Sequence, residues 1–189
     1  MSQPPPRILI TGKPGVGKTT IIQKVIERLQ VPYGGFYTEE IREGGVRVGF
    51  RLRTMEGKEG IMAHVNSKSP HRVSKYGVEV SAFEDIAVPE LDRVLQGYFP
   101  PGSRGEHKGS ALLVIDELGR MELFSRKFQE KVLEIFDHPI PILAVIQDSR
   151  NPFLDRIRGR DDVMIYRVTV GNRDGLVGEI VKELESVRV

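Results

Sequence analysis

Arg7-Ile8-Leu9-Ile10-Thr11-Gly12-Lys13-Pro14-Gly15-Val16-Gly17-Lys18-Thr19-Thr20 reads as a strand, a loop and the start of a helix. Ile8, Leu9 and Ile10 form a short apolar run suited to a strand buried on both faces. After Lys18, Ile21, Ile22, Val25, Ile26 and Leu29 recur at helical spacing and make one apolar face. Between them, residues 12–19 fit G-x-x-x-x-G-K-[ST], and the pattern needs the strand and the helix that flank it. Glycines at 12, 15 and 17 let the backbone curl until several N–H groups converge on phosphate oxygens. The positive end of the following helix faces the same oxygens. Lys18 supplies a point charge to β and γ phosphates, and the Thr19 hydroxyl is a ligand for Mg²⁺. The stretch therefore predicts a nucleoside-triphosphate site.

The rest of the composition narrows the class. At 189 residues the chain has the size of one domain, 1–189, with 39% apolar and 29% charged residues as in an ordinary globular protein. Lys and Arg number 28 against 26 Asp and Glu, so the net charge is only +2 and gives no reason to expect nucleic acid. The absence of cysteine excludes disulfides, thiolate metal sites and thiol redox chemistry. No apolar run approaches the ~18 residues of a membrane span, and Met1–Pro6 lacks the pattern of a signal peptide. Residues 1–6 are expected to be a disordered, extended leader, and the location cytoplasmic. Missing Cys, scarce Asn and many charges fit a heat-adapted protein.

Outward from the loop, the first helix is expected to stop at Gln30-Val31-Pro32. Residues 33–65 carry alternating patterns over Gly35–Arg42, Val46–Thr54 and Gly60–His64 with turns at Glu43-Gly44-Gly45 and Glu56-Gly57, an inserted antiparallel meander. Asn66–Lys75 reads as a polar loop carrying Lys68, His71, Arg72 and Lys75, and a further short strand is expected at Gly77–Val80. Ser81-Ala82-Phe83-Glu84 has the form of a capping box, and Pro89 suits the first position of another helix. Tyr98–Ser110 reads as a loop. Further strands are expected at Ala111–Glu117, Ile140–Ile146 and Val163–Val170. Helices are expected over Phe124–Phe136, over Phe153–Arg158 and from Asp174. This alternation predicts a three-layer α/β/α sandwich around a mostly parallel sheet.

Ala111-Leu112-Leu113-Val114-Ile115-Asp116-Glu117 is the second informative stretch. A buried strand ending in an acid points its carboxyl end into the ligand crevice. Asp116 is then the Walker B acid that holds Mg²⁺, and Glu117 is placed to orient and deprotonate an attacking water. Side chains alternate along a strand, so the two acids diverge unless the strand is already turning. Asp116-Glu117-Leu118-Gly119 also fits the D-x-x-G pattern of GTPases, but Asp116 lies 98 residues beyond Lys18 and Asn172-Arg173-Asp174 does not match N-K-x-D.

On these residues the chain resembles the nucleoside-triphosphatase family first described from thermophiles, which includes the cancer-related nucleoside-triphosphatase. The similarity runs from Arg7 to about Ser186 and rests on Gly12–Thr20, Gly35–Arg42, Val48-Gly49-Phe50, Ser81–Glu84, Val114–Phe124 and Ile157–Arg160. The resemblance implies a RecA-like P-loop NTPase fold. It also implies slow, Mg²⁺-dependent hydrolysis of ATP, GTP and other triphosphates to diphosphate and phosphate. Its nucleotide segments would be Gly12, Lys13, Pro14, Gly15, Val16, Gly17, Lys18 and Thr19, with Leu113, Val114, Ile115, Asp116, Glu117, Leu118, Gly119 and Arg120. Arg120 stands where vertebrate relatives tend to have Lys, and the proline-glycine loop at 99–110 departs in length.

Lys18 and Glu117 are the candidate catalytic residues, and Thr19 and Asp116 the candidate metal ligands. Arg120, Arg158 and Arg160 are candidates to stabilise charge on the transferred phosphoryl group, although Arg156, Arg158 and Arg160 also suit surface pairs with Asp155, Asp161 and Asp162. Two other readings stand beside the hydrolase. One is a nucleotide or small-molecule kinase, with 156–160 as a lid and 68–75 as an acceptor site; the other is a nucleic-acid-associated ATPase. The expected state is a monomer.

Overall fold

A computed structural model describes residues 4–97 and 111–186 of the chain. The loop expected at Tyr98–Ser110 and the first half of the leader therefore lie outside the described residues. The leader's other half is partly structured: the Pro6 carbonyl accepts the Ile142 N–H at 3.0 Å. The expectation of a disordered leader through residue 6 is corrected at that point, because the sheet recruits Pro6 as an acceptor.

Nine strands among the described residues form one sheet in the order β5-β6-β4-β3-β2-β7-β8-β1-β9. β1 (Arg7–Thr11), β7 (Leu112–Leu118), β8 (Ile142–Ile146) and β9 (Val163–Arg167) are mutually parallel, and the first residues of β2 (Tyr33–Glu43) join them. Period-2 alternation explains why these runs are apolar throughout. Ile8, Ile10, Leu112, Val114, Leu143 and Val145 point to one face, where α1 (Lys18–Leu29) and α6 (Arg173–Glu185) cover them. Leu9, Leu113, Ile115, Ile142, Ala144 and Ile146 point to the other, packed by α3 (Val88–Leu95), α4 (Arg126–Asp137) and α5 (Pro152–Arg158). These are the three layers expected from the sequence.

The meander grows directly out of that sheet. Tyr33–Phe36 pairs parallel with Leu112–Ile115, and the same strand then runs on to pair antiparallel with β3 (Val46–Thr54), which pairs with β4 (Glu59–His64). Gly35 is what lets β2 lie so close to β7: a Cβ there would stand 2.0 Å from the Val114 carbonyl oxygen. The buried Glu90 carboxylate on α3 accepts the Gly35 N–H at 3.1 Å and fixes this crossing from the other layer.

Two local expectations are corrected. Asn66–Lys75 is partly ordered as a hairpin, with β5 (Arg72–Val73) paired to β6 (Tyr76–Val78) and Arg72 donating to the Ser67 and Lys75 carbonyls. Ser81–Glu84 forms no capping box, since α2 (Val80–Ala82) starts one residue before Ser81 and leads into a π-helical turn, Phe83–Ala87. Glu84 instead accepts from the Ser125 hydroxyl at 3.1 Å and pairs with Lys127. Ser125 in turn caps α4 by accepting the Phe128 N–H. Long-range capping displaced the local pair.

Candidate functional site

The loop between β1 and α1 lies at the carboxyl edge of the parallel strands, where ligands bind in open α/β sheets. Gly17, immediately before α1, has φ +105°, a conformation that only glycine adopts without strain, and it sets the helix N-terminus against the loop. The Lys18 ammonium folds over the loop and donates to the Gly12 and Lys13 carbonyls at 2.9 and 3.1 Å. Thr19, on the first turn of α1, donates its hydroxyl to the Asp116 carboxylate, 3.1 and 3.3 Å from its two oxygens.

β8 lies between β1 and β7, so the Thr19–Asp116 contact spans the width of one intervening strand. Asp116 is buried, with 4% of its surface exposed, and burial pushes its carboxyl up to about 7. The Thr19 hydroxyl and Lys18 pull it down, and the neighbouring Glu117 charge adds to the rise. A hydroxyl and one carboxylate are hard oxygen donors, and they suit Mg²⁺ that takes its remaining ligands from phosphates and water. Among the described residues no group of three or more His, Cys, Asp or Glu could form a metal cage. The donor set therefore fits a metal carried in with a triphosphate.

At its tip β7 departs from regular strand geometry at Asp116 and Glu117. The β7–β8 register shifts between Ile115 and Leu118, and inside this bulge Glu117 adopts φ +139°. A non-glycine residue in that region costs about 1–3 kcal/mol and persists only where its surroundings impose it. Here they do. The Gln147 N–H at the end of β8 donates to the Leu118 carbonyl at 2.9 Å, and its side-chain oxygen accepts the Arg120 N–H at 3.2 Å. Gly119 lies so close that a Cβ would stand 2.5 Å from the Gln147 amide. On the other side, Glu122 accepts the Gly119 N–H at 3.0 Å. From β2, the Thr38 hydroxyl reaches the Asp116 carbonyl at 3.5 Å. Glu122 is 3% exposed, and burial followed by the nearby Glu117 charge pushes its carboxyl up to about 8.

Leu113, Val114 and Ile115 are buried strand residues whose part is to carry this tip, whereas Leu118, Gly119 and Arg120 form its turn. The arginines separate. Arg120 is exposed in the turn after β7 and has no ion-pair partner among the described residues. Arg158 is committed behind the tip: it pairs with Asp155 at 2.5 Å and donates to the Ser149 carbonyl at 2.8 Å and to that of Gln147. Arg160 is corrected outright. It pairs with Asp162 and Asp137, and Asp162 also pairs with Arg7 at the start of β1. That network sits at the amino edge of the strands, opposite the loop. Gln147 and Glu122 were missed as site residues because nothing in their local sequence reports the tertiary contacts that bring them to the β7 tip.

The sequence and the fold match those of known nucleoside-triphosphatases. A family model described as NTPase matches residues 7–181. The chain is 45% identical over 179 residues to the nucleoside-triphosphatase THEP1 of Thermotoga maritima, covering 95% of each. It is 38% identical over 193 residues to the human cancer-related nucleoside-triphosphatase, covering 96% of this chain and 97% of that one. The crystal structure of THEP1 from Aquifex aeolicus superposes with a TM-score of 0.82 at 38% identity, over 95% of this chain and 99% of that one.

Proposed function

The chain belongs to the NTPase family, and on that premise we propose that it hydrolyses nucleoside triphosphates to diphosphate and phosphate with Mg²⁺ and little selection among bases. The observation that carries the reading is the hydrogen bond from Thr19 to Asp116 beside the loop; the β7 bulge at Glu117, whose charge is near enough to raise the Asp116 carboxyl, supports Glu117 as the base. The loop N–H groups and the N-terminus of α1 receive the β and γ phosphates, and Lys18 exchanges its carbonyl partners for their oxygens. Thr19 and Asp116 hold Mg²⁺, which when bound neutralises charge on those oxygens. Glu117 accepts a proton from the attacking water as its oxygen bonds to the γ phosphorus and the bridging β–γ bond breaks. Arg120 stabilises charge from the open side. The names of the relatives single out no base, which supports broad tolerance.

The reading includes a cytoplasmic monomer without a nucleic-acid partner, checked by sedimentation and by adding RNA to the assay. Its central test is phosphate release from ATP, GTP, CTP and UTP with Mg²⁺ and no acceptor. Steady release from all four is expected, and release from none would overturn it.

A further inference from the structure

Among the described residues α1 is the last helix on its face of the sheet, and between it and the emerging meander lies a cavity of about 310 Å³. Thr19 and Asp116 belong to its lining, but Lys18 and the loop glycines do not. α1 contributes Glu27, and β2 contributes Tyr33, Tyr37 and Glu39. Met55, just past β3, fills part of the apolar wall.

Among the described residues the lining holds no Lys or Arg; Asp116 is taken up by Thr19 and the proposed metal, which leaves Glu27 and Glu39 to supply negative charge. That balance repels a phosphate or carboxylate and attracts a cation. Two tyrosines and a methionine supply aromatic and polarisable lining, the kind of surface that suits a planar cation. The size is at the lower end for small-molecule sites. We propose that this cavity is a second small-molecule site, for a planar organic cation, adjoining the phosphate end of the triphosphate site. That it adjoins bound triphosphate rests on the function proposed above; the cavity and its ligand class do not.

The test is calorimetric titration of 2-aminobenzimidazole into the protein saturated with Mg²⁺ and a non-hydrolysable ATP analogue. The probe has about ten heavy atoms, for which a Kd below ~1 mM is a reasonable demand. Saturable binding in that range is expected. Met55→Trp, which fills the cavity, and the double variant Glu27→Gln/Glu39→Gln, which strips its charge, are each expected to weaken binding at least ~10-fold. Indole, planar but uncharged, is expected to bind at least ~5-fold more weakly. The double variant changes only side chains near the surface, so it keeps the test alive if Met55→Trp fails to fold. Absence of saturation, equal affinity in the double variant, or equal affinity for indole would each overturn the proposal. Titration reads no turnover: if the wild type releases no phosphate, the hydrolase reading falls while the titration still decides the cavity.

Discussion

The phosphate loop and the tip of β7 face the same crevice but are shaped by opposite means. Apart from the Thr19–Asp116 bond, the loop is made locally: its hydrogen bonds from Lys18 to Gly12 and Lys13, from Val16 to Lys13 and from Ile21 to Gly17 span at most six positions. Its unusual dihedrals fall on glycines. The β7 tip puts a glutamate at φ +139° and holds it there with Gln147 from β8, Glu122 from the following turn and Thr38 from β2. A site can thus receive its binding half from a short motif and its reactive half from the tertiary fold. Mutations in the two halves are expected to fail in different ways.

The largest effect is expected at the loop. Lys18→Ala removes a charge-assisted partner of the β and γ phosphates, so nucleotide affinity should fall ~10²–10³-fold with the fold unchanged. Titration with a fluorescent ATP analogue reads this directly. Affinity within threefold of wild type would remove the loop from the site.

At the β7 tip the expected loss is in rate. Glu117→Gln should bind Mg·ATP nearly normally and turn over at least ~100-fold more slowly, the scale of losing a general base. Glu117→Gly should be equally inactive yet more stable by about 1 kcal/mol or more, because glycine accepts the positive φ without strain. The urea midpoint of that variant separates the two halves cleanly. A lower midpoint would mean that Glu117 makes native contacts worth more than its strain, and the tip would no longer count as a stressed element.

This contrast also explains what could be read in the sequence. The apolar runs at Ile8–Ile10, Leu112–Ile115 and Ile142–Ile146 announce strands buried on both faces, because each alternate residue has a core of its own to fill. Gly12–Thr19 announces its ligand, because the glycines and the lysine are the device itself. Ser81–Glu84 misleads for the reverse reason: Ser125 and Lys127, 41 and 43 positions beyond Glu84, compete for it and win. Arg160 misleads because its spacing says nothing about which edge of the sheet it reaches. The acids at 116 and 117 are legible as a pair, but the bulge in which they sit depends on β8, which no local pattern reports.

A smaller effect should follow from loosening the brace without touching Glu117. Glu122→Ala leaves the Gly119 N–H buried without its acceptor, which costs about 1–3 kcal/mol and frees the turn. Turnover should fall ~10-fold, with KM nearly unchanged because the loop still binds the triphosphate. Glu122→Gln keeps an acceptor oxygen in place and should restore most of the rate. Equal loss in both variants would assign the effect to the carboxyl's charge, whereas no loss in either would show that Gln147 braces the tip alone.

The mildest perturbation is pH, and its sign separates a neutral brace from an ionised one. Glu122 has an ordinary value of 4.5 and is pushed up to about 8 in the fold, first by burial and then by the Glu117 charge. The folded chain therefore holds a proton that the unfolded chain releases above its ordinary range. The stability contributed by this group is fully present below about pH 4.5, declines as pH rises and is lost by about pH 8. Over that window the wild type should lose on the order of a few kcal/mol relative to Glu122→Gln, which has nothing to titrate. Urea unfolding of both proteins at pH 5, 6.5 and 8 measures the difference. Curves that stay parallel would mean that Glu122 is ionised throughout, and the Gly119 N–H would then be bound by a charge rather than by a neutral acid. Curves that converge on the acid side and part on the alkaline side would put the proton on Glu122, so that a neutral acid braces the Gly119 N–H beneath the tip.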